Sequence, residues 1–417
     1  MKKLEDYSED IYKCTKCGLC QSVCPVFEAT GLESAVSRGK FTLLNGILTD
    51  KIKMGKNMSR YLDLCLGCRA CFEFCPSSIN AEEIIIQARH HSFNINGISF
   101  VKRFIISNLN SRLNLNLLKL ALSIYRKSGL INTANFIAEK ISFLKQPVCV
   151  FNSQIKETIR YKKQKPVKSD SKLKIVYFPG CINNYINPSV KNSVKIVLEK
   201  NGFEVNIPDF VCCGMPARSA GDFKTFKKQA EKNLDLIDDN IDFLLTDCAS
   251  CGSIWEHYAE IVDDKYKEKA RNLTAKAVNI NKFLAEIDFY IPENTEITAT
   301  VTYHDPCHLK RFQNVYTEPR EILKKIPGIN FVEMNEADKC CGVSGTFCVV
   351  NPDISKAISV KKAENILDTN AQIVSTGCPS CKIGLSNGLA IFNKIMPIYQ
   401  PVELLAMLYL KENNNKR

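Results

Sequence analysis

The chain has 417 residues, 20 of them cysteine, with 45% hydrophobic and 24% charged residues and a formal net charge of +12. A core of this size needs no covalent staples, so a disulfide scaffold is excluded, and the apolar content excludes a disordered chain. There is no uncharged apolar run of about 18 residues, and MKKLEDYSED has no apolar signal stretch. The chain therefore reads as cytoplasmic, where clustered cysteines point to metal or redox chemistry.

Residues 1–97 carry Cys14, Cys17, Cys20, Cys24-Pro25 and then Cys65, Cys68, Cys71, Cys75-Pro76. Between the two runs, Leu43, Leu44, Ile47 and Leu48 have helical spacing, and no alternating pattern predicts a strand. Residues 98–150 predict two or three amphipathic helices, expected to pack on the rest of the chain. In residues 152–174 there are eight basic and two acidic residues, a local charge of +6. Residues 151–172 therefore read as a solvated basic linker. An acidic partner protein or an anionic membrane surface fits the same charge. Nucleic acid fits poorly, because a single aromatic residue, Tyr161, lies among the basic ones and no known reader motif is present.

The remainder, 173–290 and 291–417, is an internal repeat. Each copy starts with a short apolar strand (Lys174–Phe178; Thr300–Tyr303) that runs into Pro-Gly-Cys181 or Asp-Pro-Cys307. A helical stretch and a short strand (FEVNI; FVEMN) lead to Cys212-Cys213-Gly214 or Cys340-Cys341-Gly342. After another helix, an apolar strand ends in Cys248-x-x-Cys251 or Cys378-x-x-Cys381. Corresponding cysteines are offset by 126, 128, 130 and 130 residues, a register too steady for coincidence. Strands alternating with helices predict a parallel sheet in each copy, with the cysteines at the carboxyl ends of strands. The fold class expected is α+β multidomain: a helical two-cluster ferredoxin domain followed by two tandem α/β cysteine-rich repeats.

The N-terminal C-x2-C-x2-C-x3-C-P pattern, found twice, is the ligand run of two-cluster ferredoxins, in which the fourth cysteine of each run serves the other cluster. By that rule Cys14, Cys17, Cys20 and Cys75 form one 4Fe–4S set, and Cys65, Cys68, Cys71 and Cys24 the other. Zinc accepts four thiolates as well, but seldom in this even spacing. Each repeat supplies five cysteines: Cys181, Cys212, Cys213, Cys248 and Cys251, then Cys307, Cys340, Cys341, Cys378 and Cys381. Five thiolates exceed a tetrahedral zinc site and suit an iron–sulfur cluster. A dithiol redox pair at either C-x-x-C is the alternative, and it leaves the double cysteines without a role.

His304 and His308 flank Cys307, as loop caps or as hydrogen-bond donors to cluster sulfur. Arg38-Gly39-Lys40 reads either as positive charge beside the ferredoxin clusters or as a solvated face. Trp255, His257 and Tyr258 read as core packing, and Cys149 and Cys348 as buried bystanders.

The motifs CTKCGLCQSVCP, LDLCLGCRACFEFCPSSI, FPGC, CCGMP, TDCASCGSIWEHY, YHDPCHLKR and CCGVSGTF resemble the iron–sulfur subunits of glycolate oxidase and, more widely, proteins with paired CCG domains. Among these are the C subunit of anaerobic glycerol-3-phosphate dehydrogenase and the B and D subunits of heterodisulfide reductase. The resemblance implies two 4Fe–4S clusters, and two further noncubane 4Fe–4S clusters in the five-cysteine sets. It also implies a partner flavoprotein (FAD) subunit that oxidises glycolate or lactate, with electrons leaving to a quinone or another carrier. Peripheral association with the inner face of the membrane is the alternative that the basic charge and the amphipathic helices leave open. The rivals are direct disulfide reduction at the noncubane clusters and the glycerol-3-phosphate system. No Gly-rich phosphate loop in a strand–helix setting is present, so a flavin or nicotinamide fingerprint is not expected in this chain, and the chain is read as part of an oxidoreductase complex.

Overall fold

The computed structural model describes residues 3–128, 130–140, 148, 151–152, 154–155, 158–167 and 172–415. Through residue 97 the described backbone is helical, with short helices at the cysteine runs and longer ones at Ser37–Leu48, Lys56–Asp63 and Ala81–Asn96. The last of these starts on Asn80, whose side chain accepts from the Glu83 amide, and it carries Glu82 and Glu83 in its first turn. Both features satisfy the positive end of the helix. Leu44, Leu62, Ile84 and Ala88 form the core of this part, and Cys14, Cys65, Cys71 and Cys75 pack against it.

Each repeat is a four-stranded parallel sheet. In the first, β1 (Ile175–Phe178), β2 (Val205–Asn206), β3 (Phe243–Thr246) and β4 (Ala277–Asn279) are ordered β2-β1-β3-β4. In the second, β5 (Ala299–His304), β6 (Ile329–Phe331), β7 (Ile373–Thr376) and β8 (Ile398–Tyr399) are ordered β6-β5-β7-β8. The central strands read as unbroken apolar runs because both sheet faces are covered; every residue of β1 is buried. β6 starts two residues before the FVEMN segment and covers only its first residue. Pairing with β5 aligns Ala299 with Ile329 and Val301 with Phe331, while Met334 leaves the sheet and enters the core. The edge strands β4 and β8 were not expected.

Two apolar cores run through both repeats. One contains Tyr177, Val197, Leu245, Tyr303, Ile322 and Leu405. The other holds Phe178, Trp255, Tyr258 and Leu389, together with seven of the ten repeat cysteines. The C-terminal helix Pro401–Asn415 packs on the first repeat's helix Pro188–Lys200. The Lys200–Glu412 ion pair (3.1 Å) and the Asn201 amide on the Tyr409 hydroxyl (3.2 Å) join the two.

Helices Phe100–Leu109, Arg112–Lys127 and Leu130–Lys140 occupy the predicted amphipathic region. Ile106, Leu115 and Leu122 are buried there, while Phe100, Phe104, Leu113 and Leu120 are exposed. The basic stretch departs from a purely solvated linker. Arg160, Lys162, Lys163 and Lys165 are exposed, but Ile155 and Ile159 are buried. The Thr158 amide donates to Ser189 Oγ (2.9 Å) and the Val167 amide to the Lys200 carbonyl (2.9 Å). Two apolar anchors outweigh the charge because the lysine heads stay in water.

The N-terminal part docks on both repeats. His90 stacks on Phe223 with ring centroids 4.2 Å apart, and its Nδ1 meets the Gly221 carbonyl at 2.9 Å. Gly221 has φ +80, and a Cβ there would lie 2.5 Å from the Arg89 carbonyl oxygen. Gly221→Ala therefore adds left-handed strain and a backbone clash. It is expected to cost about 1–3 kcal/mol, read as faster hydrogen exchange at this seam; unchanged protection across residues 86–92 and 219–225 would contradict the expectation.

Candidate iron–sulfur centres

The cysteine runs of the N-terminal part fold as tight loops feeding short helices. Gly18 and Arg69, both at positive φ, sit just before Leu19–Ser22 and Ala70–Glu73, and Cys24 caps Pro25–Thr30. One cavity is lined by Cys65, Cys68 and Cys71, with Cys20 and Cys24 from the first run. Cys24, the fourth cysteine of that run, thus meets the second triplet, as crossed ligation requires. Polar groups face these sulfurs: Ser37 Oγ lies 3.1 Å from Cys71 Sγ, and the Gly67 amide donates to Cys65 Sγ at 3.3 Å. Lys40 is fully buried, donates to the Ser34 and Ala35 carbonyls, and faces Cys65 and Cys24. Arg38, by contrast, is partly exposed and paired with Glu33 at 2.6 Å.

In the first repeat, Cys181 Sγ lies 3.8 Å from Cys212 Sγ, and Cys213 contacts both Cys212 and Cys251. Gly180 (φ +70) permits this packing, since a Cβ there would lie 2.7 Å from Cys251 Sγ. The Tyr258 hydroxyl donates to the Cys213 carbonyl (2.8 Å) and the Asn233 amide to the Cys212 carbonyl (3.2 Å), fixing the double cysteine. Hydrogen bonds from Cys212 and then Cys251 hold Cys213 down to about 5. In the second repeat, Cys340 is held well below the usual thiol range by Cys307 and Cys341, and Cys378 by Cys248 and Cys381. The sulfurs of each set thus lie close enough to perturb one another, as ligands of one site would.

All 19 described cysteines are free thiols. Nine of the ten in the repeats are buried, and Cys181 is half-buried. Cys348 is half-buried rather than buried, and Cys149 lies outside the described residues. Unpaired thiols so densely gathered away from water suit a thiophilic cluster better than separate redox dithiols. Trp255 and Tyr258 are fully buried core residues.

The sets follow one another through the molecule in an order different from that of the sequence. Cys68 and Cys307 share an apolar cluster with Cys24 and Cys340, and the Cys68 sulfur is within electrostatic reach of Cys340. At the other side of the second repeat, Cys378 contacts Cys248 of the first. Ser250 Oγ lies 3.8 Å from Cys378 Sγ, and the Ala249 amide donates to the Gly377 carbonyl at 3.1 Å. The second repeat's cysteines thus stand between the N-terminal pair and the first repeat.

Charged residues that sequence reading missed clamp this arrangement. Arg218, four residues beyond Gly214, is buried between Glu82 (2.6 Å) and Glu83. Burial pushes the Glu82 carboxyl up, yet Arg218, with His257 and Arg69, brings it down to about 2. Arg311 pairs with Glu73 (2.6 Å) and Asp338 (3.0 Å), facing both Cys68 and Cys307. Arg69 lies 3.6 Å over the Phe312 ring, which stacks on His308, whose Nδ1 is 3.4 Å from Cys307 Sγ.

A 4Fe-4S dicluster domain model matches residues 10–79, and a cysteine-rich domain model matches residues 175–254 and again 301–386. One dicluster match is thus followed by two cysteine-rich matches, in the order in which the two cysteine runs and the two repeats occur. The chain is 27% identical over 403 residues to the probable glycolate oxidase iron-sulfur subunit of Bacillus subtilis, covering 91% of this chain and 89% of that one. It is 27% identical over 405 residues to the D subunit of the dihydromethanophenazine:CoB–CoM heterodisulfide reductase of Methanosarcina acetivorans, again covering 91% and 89%. The crystal structure of a hypothetical protein from Helicobacter pylori shares the fold, with TM-score 0.52 at 12% identity over 98% of this chain and 73% of that one. The matches to a dicluster domain and to cysteine-rich domains support iron–sulfur clusters here. Among the described residues no helix is long and apolar enough to cross a membrane.

Proposed function

We propose that this chain is the iron–sulfur electron-transfer subunit of an oxidoreductase complex whose flavin-bearing partner oxidises a 2-hydroxy acid, glycolate or lactate. Cys14, Cys17, Cys20 and Cys75 hold one 4Fe–4S cluster, and Cys65, Cys68, Cys71 and Cys24 the other. The two five-cysteine sets hold one cluster each. When loaded, the clusters supply one-electron steps between the two-electron donor and a quinone or another carrier. The observation that carries this reading is the position of the second repeat's cysteines between Cys68 and Cys248. Four neighbouring thiolate sets make a conduit, and the similarity to a glycolate oxidase subunit supplies the donor class.

Direct disulfide reduction is a second reading, favoured by the completeness of both five-cysteine sets and by their contact at Cys248 and Cys378. Anaerobic purification from the native host, followed by flavin absorbance and dye-reduction assays with glycolate, D-lactate and glycerol 3-phosphate, separates the two. A co-purifying flavoprotein and dye reduction by glycolate or D-lactate are expected. Heterodisulfide reduction by the flavin-free chain alone would overturn the conduit reading, and glycerol 3-phosphate as the sole reductant would overturn the donor class.

A further inference from the structure

The two cysteine sets are not equivalent, and the difference lies at the ends of two matching strands. Phe178 ends β1 opposite Thr246 of β3, and His304 ends β5 opposite Thr376 of β7. The same place in the two sheets is thus phenylalanine in one repeat and histidine in the other. Phe178 is buried in an aromatic nest, 4.6 Å from the Phe210 ring and edge-on to Trp255 at 5.4 Å. The Trp255 indole nitrogen has no partner either, but its ring is packed against Phe178 and Tyr258.

His304 has no such nest. Its side chain is fully buried, and neither ring nitrogen completes a hydrogen bond of good geometry, although the Ala337 backbone lies within reach of the ring. A ring nitrogen of His304 and the sulfurs of Cys341 and Cys381 all lie within 4.8 Å of one another. One backbone group can meet only one of the two ring nitrogens, and leaving the other unmet is costly; two thiols of one set stand beside the ring.

We propose that His304 contacts the second repeat's cluster through a ring nitrogen, which sets that cluster's potential above that of the first repeat. The inference rests on the reading that the five-cysteine sets hold clusters. The contact is a hydrogen bond to cluster sulfur or a nitrogen–iron bond. Both stabilise the reduced cluster, one by placing positive hydrogen against sulfur and the other by substituting a neutral ligand for an anionic one. The first repeat, with phenylalanine at this place, lacks the contact. Electrons arriving at the repeats then favour the second repeat's cluster, the one adjoining the N-terminal pair.

The test uses the anaerobically purified full chain and H304F, which installs the first repeat's own residue. Pulsed EPR of the reduced wild type is expected to show nitrogen coupling at one cluster signal, altered by 15N-histidine labelling and lost in H304F. Redox titration is expected to show one midpoint potential lowered in H304F, by about tenfold in the redox equilibrium, or ~59 mV for a one-electron couple. The reverse variant F178H is expected to leave that signal unchanged. Unchanged iron in H304F identifies the hydrogen bond, and loss of iron identifies the nitrogen–iron bond. If the wild type holds clusters in the repeats yet shows no histidine nitrogen coupling, the inference is wrong; this labelling experiment needs no variant to fold. If the wild type holds iron for the N-terminal clusters alone, the underlying reading has failed instead.

Discussion

Replacing Cys212 and Cys213 together by alanine is expected to remove about four iron atoms per chain, one 4Fe–4S cluster, and to leave the others in place. Both sulfurs sit at the centre of the first set, where Cys213 touches Cys212 and Cys251. Cys24 and Cys68 share their apolar cluster with Cys307 and Cys340 of the second repeat, so changing Cys212 and Cys213 leaves that contact intact. The EPR signals of the N-terminal clusters should survive. Iron analysis and EPR of the variant beside the wild type check this. Unchanged iron would remove the first repeat from the set of cluster sites.

Arg218→Ala is expected to destabilise the seam between the N-terminal part and the first repeat by about 3–5 kcal/mol, the usual effect of stranding a buried charge. The Arg218 and Glu82 side chains are 4% and 6% exposed, so solvent does little to screen what the substitution leaves behind. Arg218 is also the main group holding the Glu82 carboxyl down to about 2. The sign follows from the depressed folded value. The contribution is fully present above about pH 4.3, the ordinary glutamate range, and fades as pH falls toward about 2. Hydrogen exchange at residues 81–92 and 215–221 reports the loosening, since each seam can open without global unfolding. Protection equal to the wild type would show that the ion pair contributes little.

The grouping of the cysteines was largely legible in the sequence, because their spacing and repetition are local features. The two C-x2-C-x2-C-x3-C-P runs and the repeated five-cysteine pattern needed no tertiary information, and Cys24 does reach the cavity of the second triplet. β1, β3, β5 and β7 were legible as apolar runs ending at cysteine. β4 and β8 were not, since edge strands of three and two residues carry too little pattern to read.

What the sequence concealed depends on docking. Arg218 and Glu82 are 136 residues apart, and neither is marked by any local motif. The placement of the second repeat between the N-terminal pair and the first is likewise a property of packing. The basic stretch misled in the opposite direction, because its lysines dominated the reading while Ile155 and Ile159 anchor it to the fold. His304 lay in view within YHDPCHL. Only its full burial, with a ring nitrogen beside the Cys341 and Cys381 sulfurs, separates it from a loop-capping histidine.

The central claim is that all four cysteine sets carry clusters. Iron and acid-labile sulfide per chain, measured on anaerobically purified protein, test it most directly. About sixteen irons per chain are expected, four for each of four clusters. A value of about eight in fully loaded protein, with EPR signals from the N-terminal pair alone, would contradict it.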